Sequence, residues 1–191
     1  TGDVNSICFS PHDEDLLASA SSDCTVRLWR PSTGEKISVL TGHVLKGHTA
    51  EVMDLHFSPK DKDLIVSCSK DQTVRLWSTT TQESIRTLQG HTDVIRSVSF
   101  SPKTPGLLAT ASSDGDIRLW HVSDEDTRVL QGHTSVVRSV SFSPHDTDLL
   151  ASGSDDGAVR LWSLSRAEST ARLTGHRTAI SSVCFPPFMT Y

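Results

Sequence analysis

The tripeptide Gly-His-Thr recurs along this 191-residue chain at an almost constant interval. Its histidines are His48, His91 and His133, and a variant of the motif supplies His176, so successive histidines lie 43, 42 and 43 residues apart. A period of about 40–45 residues is typical of chains built from stacked structural repeats. We therefore expect function to depend on the surface that the repeats present together, and less on a single active-site cleft.

Charge and cysteine content limit the kinds of partner. The net charge is −5, with 18 Lys and Arg against 23 Asp and Glu, which disfavours nucleic acid or an anionic membrane as the main partner because both bind basic surfaces. Cys8, Cys24, Cys68 and Cys184 form no Cys-x-x-Cys pair, and we expect them to be reduced in an intracellular protein, cytoplasmic or nuclear. No apolar run approaches the ~20 residues of a membrane span. No signal peptide opens the chain, and since it does not begin with Met we expect a segment of a longer protein.

Each copy of the repeat carries three further landmarks. An Asp follows the histidine by 23 residues. A Trp follows that Asp by six residues, and a Ser or Thr precedes the same Asp by four. Counting back from Asp23 places the first histidine immediately before Thr1. The chain therefore contains four copies and the beginning of a fifth.

Apolar patterning predicts four short strands in every copy. In the first strand, apolar residues stand four, seven and nine positions after the histidine, as in Val52, Leu55 and Phe57. Positions four and seven are three residues apart, and residues an odd number apart face opposite sides of a regular strand. The pattern therefore predicts a β-bulge between them, which reverses the side-chain register once. The second strand is small or apolar throughout, the third reads Val-Arg-Leu-Trp or similar, and the fourth is more polar, as an edge strand should be. The expected fold is all-β: a propeller with four four-stranded antiparallel blades and the first strand of a fifth.

The repeat also predicts the boundaries of one domain over residues 1–191. The expected segments are blade 1 at 1–43, an insertion at 44–48, blade 2 at 49–90, blade 3 at 91–132, blade 4 at 133–175 and the first strand of blade 5 at 176–191. Val44, Leu45 and Lys46 of the insertion are either a partner contact or a short duplication. Four blades leave apolar sheet faces uncovered, so the ring should be completed by further chain or by self-association.

The chain resembles the WD-repeat (WD40) β-propeller family in its Gly-His, Asp and Trp landmarks. It departs from the family in the residue after each Trp, which is never Asp. The resemblance implies that the landmark side chains form a hydrogen-bonded network inside each blade. The expected members are His48, Ser67, Asp71 and Trp77; His91, Thr110, Asp114 and Trp120; His133, Ser152, Asp156 and Trp162; and, without a histidine, Ser19, Asp23 and Trp29.

Ser, His and Asp together also suggest a hydrolase, but one chain has no use for several identical triads, and a triad is defined by geometry. We therefore predict no catalytic residue. The histidines lack metal-ligand spacing, and no phosphate-binding glycine loop is present, so we predict neither a metal site nor a cofactor.

The resemblance places partner contacts three and five residues after each histidine and just before each turn Asp. These positions, called the candidate face below, are Asp3, Asn5, Ser22, Glu51, Met53, Lys70, Val94, Arg96, Ser113, Val136, Arg138, Asp155, Ala179 and Ser181. Arg96 and Arg138 fall on successive blades and would suit an acidic or phosphorylated peptide. The alternative is ordinary solvated surface.

The predicted function is a non-catalytic scaffold that binds partner proteins or peptides on the propeller face. The alternative is a structural subunit of a large cytoskeletal, ciliary or coat-like complex that makes its contacts through blade edges. The two differ in whether changes on the candidate face abolish binding.

Overall fold

The computed structural model describes residues 2–32, 35–40, 47–124 and 127–186, of which 35–40 are described for the backbone alone. Val44, Leu45 and Lys46 of the predicted insertion lie outside the described residues. The chain divides into two compact units, 1–98 and 99–191. None of the described segments forms a helix with the length and hydropathy needed to cross a membrane.

The described residues form sixteen β-strands and no helix. The first sheet contains β1 (Val4–Phe9), β2 (Leu17–Ser21), β3 (Val26–Arg30) and β4 (Glu35–Leu40), and the second contains β5 (Val52–Phe57), β6 (Leu64–Ser69), β7 (Thr73–Ser78) and β8 (Ser84–Gln89). The third contains β9 (Ile95–Phe100), β10 (Leu107–Ser112), β11 (Ile117–His121) and β12 (Thr127–Leu130), and the fourth contains β13 (Val137–Phe142), β14 (Leu149–Ser154), β15 (Ala158–Ser163) and β16 (Glu168–Thr174). In every sheet the strands lie in chain order, which confirms the predicted four-stranded blades.

The bulge predicted from the odd apolar step is present in the first strand pair. The register between β1 and β2 shifts between Val4 and Ser6, and the β5–β6 pair shifts between Val52 and Asp54. The β13–β14 pair repeats the shift at the equivalent position. Because one residue is left outside the ladder, the apolar residues on either side of it point to the same face of the sheet.

The apolar face of one sheet packs on the next within each unit. In the first unit Ala18, Ala20 and Leu28 of the first sheet belong to one core cluster with Leu55 and Phe57 of the second. These five side chains are at most 3% exposed. Burying a leucine or phenylalanine side chain is worth about 1.5–3 kcal/mol, so this packing dominates the stability of the unit.

The same positions on β1 are not covered. Val4 and Ile7 are each 62% exposed and Phe9 is 57% exposed. Their counterparts Val52, Leu55 and Phe57 on β5 are covered by the first sheet. The outward face of β1 is therefore an apolar surface of the kind that another sheet buries elsewhere in the chain.

A Ser-Pro pair ends the first strand of each of the four complete copies, and its serine builds the turn that follows. Each serine hydroxyl accepts backbone hydrogen bonds from the residues two and three positions later, at 3.0 to 3.3 Å. The four serines, Ser10, Ser58, Ser101 and Ser143, are buried. The repeated Ser-Pro pair thus forms a turn: proline ends the strand because it has no backbone N–H to donate, and the serine hydroxyl accepts the backbone N–H groups of the turn.

Residues 176–186 begin a further copy on the fourth sheet. The backbone N–H of Ile180 donates to the carbonyl oxygen of Ser154 at 3.1 Å, and that of Val183 donates to Ser139 Oγ at 3.2 Å. Gly153 makes this approach feasible, because a Cβ at that position would lie 2.6 Å from Ile180 Cγ2. The four sheets and this partial fifth set of contacts agree with the predicted fold class.

Candidate functional site

The landmark side chains of the second copy form a continuous hydrogen-bonded chain. Trp77 Nε1 donates to Ser67 Oγ at 2.8 Å, Ser67 Oγ lies 2.8 Å from His48 Nε2, and His48 Nδ1 lies 2.9 Å from Asp71 Oδ2. Since Asp71 can only accept when ionised, we assign the imidazole proton to Nδ1, and Nε2 then accepts from the serine hydroxyl. Each polar side chain of this network is hydrogen-bonded to the next one.

The fourth copy repeats this geometry. Trp162 Nε1 donates to Ser152 Oγ at 2.8 Å, and His133 lies 2.7 Å from that oxygen through Nε2 and 2.8 Å from Asp156 Oδ2 through Nδ1. Two copies 85 residues apart in sequence therefore build the same buried network.

The first and third copies share the tryptophan–hydroxyl bond. Trp120 Nε1 donates to Thr110 Oγ1 at 2.9 Å, and Trp29 Nε1 donates to Ser19 Oγ at 2.9 Å. His91 of the third copy is buried, and the Asp114 carboxylate accepts the backbone N–H of Asp116 at 2.9 Å.

The first copy pairs its turn Asp differently. The Asp23 carboxylate accepts hydrogen bonds from Arg27 Nη2 and from the hydroxyl of Thr25. The equivalent arginines Arg75 and Arg160 instead lie 6.0 and 5.9 Å from the ring centroids of their own tryptophans. An arginine two positions before the tryptophan thus serves as either an ion-pair donor or a cation–π partner.

Burial sets the protonation states of the network. Burial lowers the pKa of His48 and of His133, which favours neutral imidazole in the fold. Burial alone would raise the pKa of Asp71 and Asp156, but hydrogen bonds, first among them the one from the paired histidine, hold both below the usual range. Each pair is therefore an ionised carboxylate bound to a neutral imidazole.

The geometry favours a structural role for these groups over a nucleophilic one. Ser67 and Ser152 are 0% exposed, and each hydroxyl oxygen already accepts the N–H of a tryptophan. A nucleophile must reach a substrate carbon, and neither oxygen has an open side. Within the ranges that the structure describes, no group of three or more His, Cys, Asp or Glu side chains is placed to hold a metal ion.

The candidate face lies at the end of the sheets where the first strands begin and the second strands end. All fourteen of its residues are at least partly exposed. In the first two copies they contact one another: Asn5 Nδ2 donates to Ser22 Oγ at 3.1 Å and to the carbonyl oxygen of Val52 at 2.8 Å. Glu51 accepts from Ser22 Oγ at 3.3 Å and pairs with Lys70 Nζ at 2.7 Å. These polar contacts join adjacent copies at this end.

Sequence reasoning missed an ion pair on the candidate face. Arg138 binds Asp155 through both carboxylate oxygens, with Nη2 2.8 Å from Oδ2 and Nε bound to Oδ1. Both residues were predicted as partner contacts, but their pairing depends on the bulge that aims Arg138 across to the end of β14. An incoming anion would have to compete with Asp155 for this guanidinium.

A second group that sequence reasoning missed is Asp54. It stands where the other copies carry Ser6, Ser97, Ser139 and Ser182. Its Oδ1 accepts from Ser6 Oγ at 2.7 Å and from the backbone N–H of Leu55 at 2.9 Å. Burial raises the pKa of this carboxyl. The only sequence signal was a carboxylate in a series of serines.

Four copies of an antiparallel four-stranded blade, each with its tryptophan bonded to a buried hydroxyl group, define a β-propeller repeat protein. Residues 1–30, 34–78, 82–121 and 124–163 match the WD40 family, described as "WD domain, G-beta repeat". The chain belongs to the WD-repeat family, as the resemblance in its sequence indicated.

Two curated proteins illustrate the similarity. A stretch of 34 residues is 56% identical to "Probable cytosolic iron-sulfur protein assembly protein CIAO1 homolog" of Nematostella vectensis, covering 18% of this chain and 10% of that protein. A stretch of 52 residues is 40% identical to "Guanine nucleotide-binding protein subunit beta" of Oryza sativa subsp. indica, covering 27% of this chain and 14% of that protein. The matches therefore span far less than two thirds of the length of either relative.

Proposed function

We propose that this chain is a non-catalytic protein-interaction scaffold whose candidate face binds partner proteins or peptides. One observation carries the proposal: the repeated polar groups are buried and occupied, whereas the residues that differ between copies are partly exposed at one end of the sheets. Membership of the WD-repeat family and the names of the two relatives, an assembly protein and a subunit, support it. An intracellular location fits the free cysteines.

The proposed ligand is an acidic or phosphorylated peptide that contacts Arg96 and Arg138. Asp155 already neutralises Arg138, so binding should be limited by the cost of breaking this pair. Asp155→Asn removes the competing charge and should tighten the binding of an acidic peptide, whereas Arg96→Glu combined with Arg138→Glu should abolish it.

The experiment is affinity capture with wild-type chain and with the Arg96→Glu, Arg138→Glu double variant, each checked for an unchanged circular dichroism spectrum. Lys103→Glu is the matched control, because Lys103 is exposed at the opposite end of the third sheet, after the end of β9. A partner that is lost only with the double variant supports the proposal. A partner retained by the double variant, or lost equally with Lys103→Glu, would reject the candidate face.

The exposed face of β1 favours a second kind of contact, between sheet faces. We propose that another sheet of the same kind covers Val4, Ile7 and Phe9, since equivalent residues are covered within the first unit. Sedimentation velocity over a range of concentrations tests whether a second copy supplies that sheet. Association that Ile7→Asp abolishes would support self-association, and a concentration-independent monomer would assign the covering sheet to further chain.

A further inference from the structure

Each copy carries an arginine between its turn Asp and its Trp. This arginine stands four residues after the Asp and two residues before the Trp, and the four are Arg27, Arg75, Arg118 and Arg160. In every copy the register places the arginine directly opposite the Ser or Thr of the polar network on the second strand. Directly opposed residues share a face of the sheet, so the arginine lies within reach of the network.

In the second and fourth copies the histidine binds the turn Asp, and the arginine is left without that partner. The guanidinium groups of Arg75 and Arg160 lie over the rings of their tryptophans, and their Nε atoms are buried with no acceptor among the described residues. Gly132 leaves room for Arg160, because a Cβ there would lie 3.2 Å from Arg160 Nη1. A buried donor without an acceptor destabilises a fold, so each arginine has an unused hydrogen bond beside the network.

The charge of this arginine already acts on the histidine–aspartate pair. Burial is the main cause of the lowered pKa of His48, and the charge of Arg75 acts in the same direction. Burial also lowers the pKa of Arg75 itself, and the charge of Asp71 acts against this effect. Arg75 is therefore close enough to Asp71 to be attracted by the carboxylate, although His48 holds it.

The first copy shows where the arginine lies when no histidine binds the turn Asp. Among the described residues Asp23 has no histidine partner, and Arg27 Nη2 donates to its carboxylate instead. Arg27 Nε donates to Thr25 Oγ1 at 3.2 Å, so this atom has the acceptor that its counterparts lack. Trp29 still donates to Ser19, and the rest of the network is thus unchanged.

The sequence of the strand does not explain this difference. Residues 25–29 and 73–77 both read Thr-Val-Arg-Leu-Trp, and the residue before each segment has φ 67°. In both copies the threonine hydroxyl donates to the turn Asp. The copies differ in the partner of that Asp, which is His48 in the second and Arg27 in the first. The histidine therefore determines the position of the arginine.

We propose that this arginine is a reserve donor for the turn Asp, which leaves the tryptophan ring and pairs with the carboxylate when the histidine withdraws. His48 and His133 lie in the connections that lead into β5 and β13, so their withdrawal opens the connection at the start of a copy. The arginine then keeps the buried carboxylate paired, and the rest of the blade stays folded. This two-state device is independent of the function proposed for the candidate face.

The test is a double-mutant cycle on His48 and Arg75, measured by urea denaturation of the full chain. With His48 present, Arg75→Met should lower the folding equilibrium constant roughly threefold, because the contact with the tryptophan ring is lost. In the His48→Ala background the same change should lower it roughly tenfold or more, because it leaves the buried Asp71 carboxylate without a charged donor. Equal losses in the two backgrounds would overturn the proposal.

NMR of the chain labelled with ¹⁵N-arginine follows the movement directly. The Arg75 Nε–H resonance should shift in His48→Ala, because this donor gains an acceptor as Arg27 has in the first copy. The shift should disappear when Asp71→Ala is added, since the carboxylate that attracts the arginine is gone. His145→Ala is the matched control, because His145 is exposed, and it should leave the resonance in place. A folded His48→Ala variant with an unshifted resonance would contradict the exchange.

The first copy gives a reciprocal test that does not require His48→Ala to fold. Arg27→Met should lower the folding equilibrium constant roughly fivefold more than Arg75→Met, since Arg27 holds a carboxylate and Arg75 does not. Adding Gly-His before Thr1, where the repeat places a histidine, should remove this difference because the histidine would bind Asp23. Equal effects of the two substitutions in the original chain, or a difference that persists after the addition, would overturn the proposal.

Discussion

Asp54 Oδ2 accepts a hydrogen bond from the backbone N–H of Val98 at 3.0 Å, so a carboxylate of the second copy binds the first strand of the third. Ser139 makes the same link with Val183 at 3.2 Å through a neutral hydroxyl. Together with its bond from Ser6, Asp54 ties three successive inner strands at one point. The charge makes this link dependent on pH.

Asp54→Ser should change the pH dependence of stability. Burial raises the folded pKa of Asp54 above its usual 3.8. The hydrogen bonds from Ser6, Val98 and Leu55 and the nearby His56 each lower this pKa, but burial is the larger effect. Because the folded pKa is raised, the fold binds the proton more tightly than the unfolded chain does, which adds to the free energy of unfolding at pH values below the unfolded pKa. This added stability is lost as pH rises through the folded pKa. Wild type should therefore gain stability relative to Asp54→Ser as pH falls from 7 towards 4.

Urea denaturation of both proteins at several pH values measures this difference. Each unit of pKa elevation corresponds to about 1.4 kcal/mol between the two ends of the range. The serine variant is a natural replacement, since four other copies carry it. Parallel stability curves for the two proteins would contradict a raised pKa at this site.

His133→Ala should destabilise the fourth copy. The change removes the histidine partner of both Asp156 and Ser152, and it leaves a buried carboxylate with fewer donors. We expect a loss of about 2–3 kcal/mol in the free energy of unfolding. Thermal and chemical denaturation measure it, with the exposed His145→Ala as the matched control. Equal melting temperatures for the two variants would contradict a structural role for the network.

Stability should fall as pH drops below the usual histidine range. Burial lowers the folded pKa of His48 and His133 from 6.5, so the unfolded chain binds more protons than the fold in the region just below that value. Stability then rises with pH, and it is lost on acidification. The double variant His48→Gln, His133→Gln should be less stable at pH 7 but show a shallower decline between pH 7 and 5. An unchanged slope would mean that other groups govern this range.

The turn between the second and third strands offers a stabilising change. Its left-handed position is occupied by Gln72 with φ 67°, whereas the third copy has Gly115 with φ 89°. A residue other than glycine destabilises the fold by roughly 1–2 kcal/mol in this left-handed conformation. Replacement by glycine recovers only part of that free energy, because glycine loses more conformational entropy on folding.

Gln72→Gly should therefore stabilise the chain by about 0.5–1 kcal/mol. The reverse change, Gly115→Ala, should destabilise it through backbone conformation alone, since a Cβ there would meet nothing closer than 3.7 Å. Midpoints of urea denaturation measure both. The same sign of change for the two variants would show that the turns are not equivalent.

The repeat predicted the fold because each landmark has a local physical cause. The odd step between Val52 and Leu55 requires a bulge in any strand that buries both, and the register shift lies between Val52 and Asp54. The buried networks were expected from the resemblance to the WD-repeat family, which the recurring His, Asp and Trp landmarks carry. A second register shift, between Leu76 and Trp77 where β7 pairs with β8, had no such signal.

Contacts that occur once could not be predicted in this way. The pairing of Arg138 with Asp155 needs two side chains from different strands to meet at one end of a sheet, which spacing alone does not determine. The roles of the candidate-face residues stay a prediction.

The Ser-Pro turns have a consequence for enzymatic modification. Ser10, Ser58, Ser101 and Ser143 are at most 8% exposed, and each hydroxyl oxygen is bound by two backbone amides. We expect a proline-directed kinase to label these serines on the urea-unfolded chain and to leave the native chain unlabelled, which mass spectrometry would show. A phosphate added during synthesis would keep its blade from closing, so these four sites would report on chains that have not yet matured.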